Sequence, residues 1–329
     1  MKALVTGATG FIGSHLAEVL ADKGWEVRAL VRETSDVGLL NRIGAELVVG
    51  DIRDKDSLKD ALAGREIIFH CAALVGEWGE PVDFYNINVG GMKNLIDEAE
   101  KAGVKRVIDV SSTSVHGYEG FKRDTEESPY ISFGILYSDT KQEAEKLLWE
   151  AHAQGRIEAT SIRPAMVWGP RDQAFFAKFI KLLKKKQFVY IDGGRHIAGL
   201  THVRNVCDAM FRSAQNPNSI GKAFIITDDN DITYRDVVEK LCDELGFKKP
   251  RLSISYSAAK FIAYWSEKYA RRKQSEKAPI LTRMGVSCIG NDLSFDITRA
   301  KTILGYAPRY SFPQSLPEYL EWLKSQNNI

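Results

Sequence analysis

Eight residues near the start of the chain, Thr6-Gly7-Ala8-Thr9-Gly10-Phe11-Ile12-Gly13, constrain it most. They follow the apolar run Ala3–Val5 and precede an amphipathic stretch, so they read as strand, tight turn and helix start. The glycines are spaced GxxGxxG. Gly7 admits the turn, Gly10 lets a pyrophosphate approach the main chain, and Gly13 lets the helix settle against the strand. The helix start offers unpaired N–H groups and the positive end of the helix dipole to a phosphate. A glycine turn can serve the backbone alone. Its place between strand and helix favours a bound dinucleotide, contacted by Gly7, Thr9, Gly10, Phe11, Ile12 and Gly13.

The rest of the first half keeps that alternation. Val27–Val31, Leu47–Val49, Ile67–Phe69, Val107–Val110 and Ala159–Ile162 read as buried strands. Ser14–Lys23, Ser57–Ala63, Phe84–Ala102 and Ser138–Ala153 read as amphipathic helices. Such alternation predicts an α/β fold, a Rossmann-type doubly wound parallel sheet covered on both faces. The expected division is a dinucleotide-binding domain over 1–165 and a smaller, mainly substrate-binding α/β lobe over 166–329 that returns segments to the first. In that lobe Ala174–Lys186 and Val203–Ala214 read as helices and Ala223–Thr227 as a strand. Thr233, with Asp236 three residues on, resembles a capping box.

The 45 Lys and Arg against 43 Asp and Glu leave a net charge of +2, so nothing points to nucleic acid. Cys71, Cys207, Cys242 and Cys288 form no CxxC pair; they read as reduced thiols, and no metal site is expected. Only three apolar residues precede Thr6-Gly7, too few for a cleavable signal, and no stretch reaches the ~18 apolar residues of a membrane span. The expectation is a cytoplasmic protein acting on a small molecule.

Arg32 closes the second strand. There an acidic residue would hold the ribose 2′-hydroxyl of NAD, whereas an arginine accommodates the 2′-phosphate of NADP. NADP is therefore preferred over NAD, a solvated surface arginine being the competing reading. Asp51 and Ile52, after the third strand, suit the adenine, although Asp51 would equally cap the next helix. Tyr137 and Lys141 stand four apart at a helix start and so share a face. An ammonium beside a phenol lowers its pKa from ~10, which suits a proton donor and acceptor near neutral pH. Val110-Ser111-Ser112-Thr113 closes a strand whose carboxyl end faces the cofactor crevice, where a serine hydroxyl can hold a substrate oxygen.

These stretches, with His70-Cys71-Ala72-Ala73, the NxxGxxN of Asn88–Asn94, Ser111–Gly117, Tyr137–Lys141 and Arg163–Pro170, resemble the extended short-chain dehydrogenase/reductase family over nearly the whole chain. The resemblance implies that Ser112, Tyr137 and Lys141 are catalytic, with Tyr137 and Lys141 also at the cofactor. It implies backbone contacts to cofactor from Ala72 and Ala73, a nicotinamide shelf from Pro164 to Val167, and Asn88 as a structural or cofactor-side residue. It also implies a homodimer built on Phe84–Ala102 and Ser138–Ala153. His70 reads as a buried, satisfied histidine.

Gly76–Gly79, Ala278–Arg283, Ser294–Ile297 and Leu304–Pro308 resemble the 3β-hydroxysteroid dehydrogenase-like branch, which includes reductases of 2-alkyl-3-oxo fatty acids. Nucleotide-sugar epimerases of the family carry an arginine where this chain has Ala198, and a later one that Ile289-Gly290-Asn291-Asp292 lacks. Arg171, Arg195 and Arg204 keep phosphate binding open.

Three readings follow. The first is an oxidoreductase interconverting a secondary alcohol and a ketone on an apolar substrate, sterol-like or 3-oxoacyl and lipid-like. The second is a nucleotide-sugar 4-epimerase or dehydratase. The third is a dinucleotide-binding regulator without turnover, which would need none of Ser112, Tyr137 and Lys141. Val75, Trp78, Thr113, Trp168 and Arg171 are the candidate substrate contacts. Trp78, Trp168, Phe175 and Phe176 suit an apolar pocket, or else core packing. Phe261, Trp265, Tyr269 and Arg272 fall near one face of a helix. Packing on the core is the expectation for that stripe; a lid or a peripheral membrane-surface patch is the alternative.

Overall fold

In this computed structural model residues 1–118, 121–172 and 175–326 are described. Seven short runs build the central sheet: β1 (Lys2–Thr6), β2 (Glu26–Val31), β3 (Glu46–Val49), β4 (Ile67–His70), β5 (Arg106–Val110), β6 (Glu158–Pro164) and β7 (Lys222–Ile226). All pair in parallel, in the order β7-β6-β5-β4-β1-β2-β3. The chain runs outward from β1 to β3, then crosses back to β4 on the other side of β1. That reversal opens a crevice beyond the carboxyl ends of β1 and β4.

Strand side chains alternate between two cores. Ala3, Val5, Ile67 and Phe69 point to one face, where Leu16 and Leu20 of α1 (Phe11–Asp22) cover them. Leu4 and Ile68 point to the other, against Met92 and Leu95 of α2 (Gly91–Lys101) and Ala144 and Leu148 of α3 (Leu136–Ala153). A sheet buried on both faces explains why its strands read as unbroken apolar runs. Val206 and Met210 of α4 (Val203–Gln215) complete the first face, and β7 then joins β6 at the edge.

The helix expected over Phe84–Ala102 is interrupted. An α-turn at Pro81–Phe84 runs into a π-helix at Tyr85–Gly90 before α2 begins. The wider turn carries Asn88 into the buried interior. The Thr233–Asp236 capping box is present, at the start of Tyr234–Leu245. Of the helix expected from Ala174, that residue lies outside the described ones, and Phe175–Lys184 is helical. Three parallel ribbons were not expected from the sequence: Met166–Trp168 with Leu200–His202, Phe121–Asp124 with Leu293–Phe295, and Tyr190–Ile191 with Ser253–Ile254. Strands this short carry no readable periodicity.

Two expectations about aromatic residues are corrected. Trp168 and Phe176 are packed inside the protein. Both are fully buried in a third core with Tyr190, Phe312 and Tyr319, and Trp168 Nε1 donates to the Asp228 carboxylate at 3.1 Å. Conversely, Phe261, Trp265 and Tyr269 do not pack on a core. They stand in solvent on α5 (Tyr256–Arg272), whose inward face is Ala259, Ala263, Glu267 and Ala270. Among the described residues no helix is long and apolar enough to cross a membrane, and no His/Cys/Asp/Glu group is placed to hold a metal. All four cysteines are free.

Candidate active site

Three neighbouring strands deliver the site from their carboxyl ends: β1 the glycine turn, β4 the Cys71–Leu74 loop, and β5 the serines. Gly7 has φ +65°, and a Cβ on it would lie 2.7 Å from the Ala72 backbone nitrogen. A Cβ on Gly13 would press into the Gly7 carbonyl. Both are therefore needed for close packing of backbone on backbone. Gly10 differs: beside it only the Gly7 carbonyl oxygen is near, at 3.1 Å, and Thr9 and Gly10 are exposed. Gly10 heads α1 without a side-chain cap, leaving the first-turn N–H groups for a ligand. Open space over uncapped donors fits a pyrophosphate. Phe11 and Ile12 stand half-buried in that first turn.

Thr6 Oγ1 and His70 Nδ1 hydrogen-bond at 2.8 Å, and the Ala72 N–H donates to the same hydroxyl at 3.3 Å. Burial pushes His70 down to about 3, so it is a neutral structural residue that pins the β1 and β4 loops together. Ala72 and Ala73 are half-buried there. Asn88 clamps the same loop: its Oδ1 accepts from Leu74 N at 2.7 Å, and its Nδ2 donates to Leu74 O at 3.1 Å and Thr140 Oγ1 at 2.9 Å.

At the adenine end, Arg32 is exposed at the tip of β2. The Asp51 carboxylate accepts from the Arg53 backbone at 2.9 Å and its guanidinium at 2.8 Å, and these bonds hold it below the usual range. Asp51 is not the helix cap; Asp54 is. The Ile52 side chain is core, packed against Gly91.

Tyr137 and Lys141 lie in the first turns of α3. Lys141 is buried; its Nζ donates to the Val110 carbonyl at 2.7 Å and faces the Asp109 carboxylate at 3.7 Å. Ser112 heads the short 3-10 turn Thr113–His116, accepts from Ser114 N at 3.1 Å, and stands close enough to Tyr137 to lower the pKa of its phenol. Ser111 turns away and donates to buried Glu145, which pairs with Arg163 at 2.5 Å. Arg163 also reaches His116 Nε2 and Glu126 O, both at 3.0 Å. This knot fixes the strand end from which Ser112 projects.

The Tyr137 phenol departs from expectation. Burial pushes it above its ordinary value and outweighs the lowering by Lys141 and by Ser112. The expectation counted the cation and not the cost of burying a phenolate. Asp109 was not singled out from sequence, since an acidic residue inside a strand carries no signal of its neighbour. It is fully buried, neither carboxylate oxygen has a hydrogen-bond partner, and burial pushes it up to about 6. Glu145, four residues after Lys141, shares its helix face, a signal that a surface carboxylate would equally give.

Toward the substrate side, Pro164 is buried at the end of β6 and Val167 half-buried beyond it. A cavity lined by Glu77, Trp78, Ile135, Leu136, Arg271 and Met284 adjoins the start of α3. Trp78 donates through Nε1 to Ser275 O at 2.9 Å, under the Arg271 guanidinium 4.5 Å from its ring. Val75 is exposed, and Thr113 is buried in the 3-10 turn. Arg171, a candidate substrate contact, donates to Ser14 Oγ at 3.0 Å and pairs with Glu18, both on α1. Arg204 is held by Glu318 through bonds of 2.9 and 2.6 Å. A polar depression beside Thr227, Asp229 and Arg123 contains none of the residues around Tyr137.

The sequence model of the NAD dependent epimerase/dehydratase family matches residues 3–227. A 4-hydroxy-2-methyl-3-oxo-4-farnesyl-3,4-dihydroquinoline-1-oxide ketoreductase of Stigmatella aurantiaca is 30% identical over 320 residues, covering 96% of this chain and 95% of its own. A 3 beta-hydroxysteroid dehydrogenase/Delta 5-->4-isomerase of Mycobacterium tuberculosis is 31% identical over 340 residues, covering 98% of this chain and 90% of its own. Among solved structures, the UDP-glucuronic acid 4-epimerase of Bacillus cereus in complex with NAD superposes with a TM-score of 0.78 at 21% identity, over 99% of each chain. At that identity the likeness concerns the fold.

Proposed function

The chain belongs to the NAD dependent epimerase/dehydratase family, and from that premise we propose that it is an NAD(P)-dependent oxidoreductase interconverting a secondary alcohol and a ketone on an apolar, sterol-like or 3-oxoacyl substrate. The observation that carries this is the convergence of Ser112, Tyr137 and buried Lys141 at the carboxyl ends of the strands that also carry a glycine turn fitting a pyrophosphate. A regulator without turnover would have no use for that arrangement. The names of the two relatives support ketone and sterol chemistry.

A bound nicotinamide supplies or accepts the hydride. The chain does the rest. Ser112 and Tyr137 hold the substrate oxygen between their hydroxyls. Tyr137, kept protonated by burial, gives its proton to that oxygen in reduction and takes it in oxidation, when the Lys141 ammonium supports the phenolate. Lys141, anchored on the Val110 carbonyl, would also hold the ribose of a bound cofactor. Arg32, exposed where a 2′-phosphate would lie, supports NADP as the preferred cofactor over NAD. A homodimer on the Phe84–Ala102 and Ser138–Ala153 segments belongs to the same reading.

The nucleotide-sugar reading is disfavoured by charge. Ala198 is buried, Arg171 is held by Glu18 and Arg204 by Glu318, so of the three arginines only Arg195, 4.0 Å from Asp192, could meet a phosphate without breaking a close ion pair. Thermal stabilisation by NADPH and by NADH, each with and without UDP-glucose, tests the reading, because bound ligand raises stability in step with its affinity. A large NADPH shift with no further rise from UDP-glucose is expected. A clear increment from UDP-glucose would overturn it in favour of an epimerase.

A further inference from the structure

Helix α5 is apolar on the wrong side. Its seat in the fold is shallow, a cluster of Ile191, Ala259, Ala263 and Val286. It is tied down by Glu267, which accepts from Arg283 N at 2.6 Å and Nε at 2.8 Å in α6 (Arg283–Ile289). Its large side chains face solvent: Phe261 is 67% exposed, Trp265 49% and Tyr269 65%, with Ile262 and Tyr264 beside them. Phe261, Trp265 and Tyr269 recur every four residues and therefore lie along one stripe. An exposed apolar stripe on this scale is a contact surface in most proteins that carry one.

Its charge selects the partner. Residues 256–273 contain Lys260, Lys268, Arg271, Arg272 and Lys273, and the single acidic residue among them, Glu267, is buried and engaged by Arg283. The cations stand over the rings: Lys268 Nζ lies 4.9 Å from the Trp265 ring centre, and Lys273 Nζ 5.9 Å from that of Tyr269. Aromatic bodies with cationic tips suit the boundary between anionic headgroups and acyl chains, where rings enter and ammonium groups stay with phosphates. A second copy of the same face would instead bring cations against cations.

We propose that α5 docks the protein on the surface of an anionic phospholipid bilayer. The helix also borders the cavity beside α3, through Arg271 over Trp78 and the Ser275 carbonyl on its indole N–H. An apolar substrate would thus enter from the membrane side; that last step rests on the oxidoreductase reading, while the docking does not.

The test is co-sedimentation of the full chain with vesicles of phosphatidylcholine alone and of equal parts phosphatidylcholine and phosphatidylglycerol. Binding is expected to the mixed vesicles, weakly to the neutral ones, and to fall with salt. The double variants Phe261→Ser/Trp265→Ser and Lys268→Glu/Arg272→Glu are each expected to weaken it about tenfold or more. All four side chains are outside the cores, so unchanged melting and unchanged turnover of a small water-soluble ketone report intact folding and chemistry. No sedimentation with the mixed vesicles, or equal binding to both compositions, would overturn the proposal. So would a concentration-dependent self-association that the Phe261→Ser/Trp265→Ser variant abolishes.

Discussion

The Lys141 ammonium faces the Asp109 carboxylate at 3.7 Å, and both groups are buried. Asp109 has no hydrogen bond to compensate its burial, and its charge opposes ionisation of Tyr137. Asp109→Asn is therefore expected to move the pH limb of alcohol oxidation that reports Tyr137 to lower pH. An unchanged limb in the kcat/KM profile would contradict this.

The same residue sets a stability slope. Its folded pKa of about 6 lies above the ~3.9 of an unfolded chain, so between those values the native state binds more protons and stability falls as pH rises. Measured as Tm of the wild type minus Tm of Asp109→Asn, the difference should become more negative across that window. A flat difference would show that Asp109 titrates normally.

The two adjacent serines separate chemistry from structure. Ser112 stands beside Tyr137 and lowers the pKa of its phenol, whereas Ser111 donates to the Glu145 carboxylate. Ser112→Ala is expected to lower kcat about a hundredfold with little loss of stability, the usual scale for one donor to a reacting oxygen. Ser111→Ala should instead cost about 1–3 kcal/mol in urea unfolding, by leaving a buried carboxylate one partner short. The reverse outcome would exchange their roles.

Gly10 and Gly13 should also differ. Gly13→Ala drives a methyl group into the Gly7 carbonyl and is expected to destabilise by about 1–3 kcal/mol. Gly10→Ala meets only the Gly7 carbonyl oxygen, at 3.1 Å, which a shift of a few tenths of an ångström relieves, so the fold should survive at a smaller cost while NADPH affinity, read by titration, drops about tenfold or more as the methyl group fills the pyrophosphate space. Undiminished affinity would remove the pyrophosphate from that position.

Much of the fold was legible because buried parallel strands are apolar runs and the helices between them are amphipathic. Gly7, Gly10 and Gly13 could be read since only a strand–turn–helix uses them in that order, and Tyr137 and Lys141 since helix geometry puts them on one face. What stayed hidden depends on partners distant in sequence. Glu145 meets Ser111 across 34 residues, Trp168 meets Asp228 across 60, and Arg171 meets Ser14 across 157. No local pattern encodes such pairs. The Tyr137 phenol was misjudged for a related reason: proximity to Lys141 is local, while burial is a property of the whole packing. The stripe on α5 inverted the usual rule because its inward face is three alanines and Glu267, with no large apolar side chain.

The most direct test of the central claim is single-turnover ketone reduction by Tyr137→Phe, with NADPH affinity measured on the same sample. The rate should fall by about a hundredfold or more with affinity nearly unchanged, because only the proton donor is lost. Near-normal turnover would contradict it, since Tyr137 could then not be the group that moves the proton.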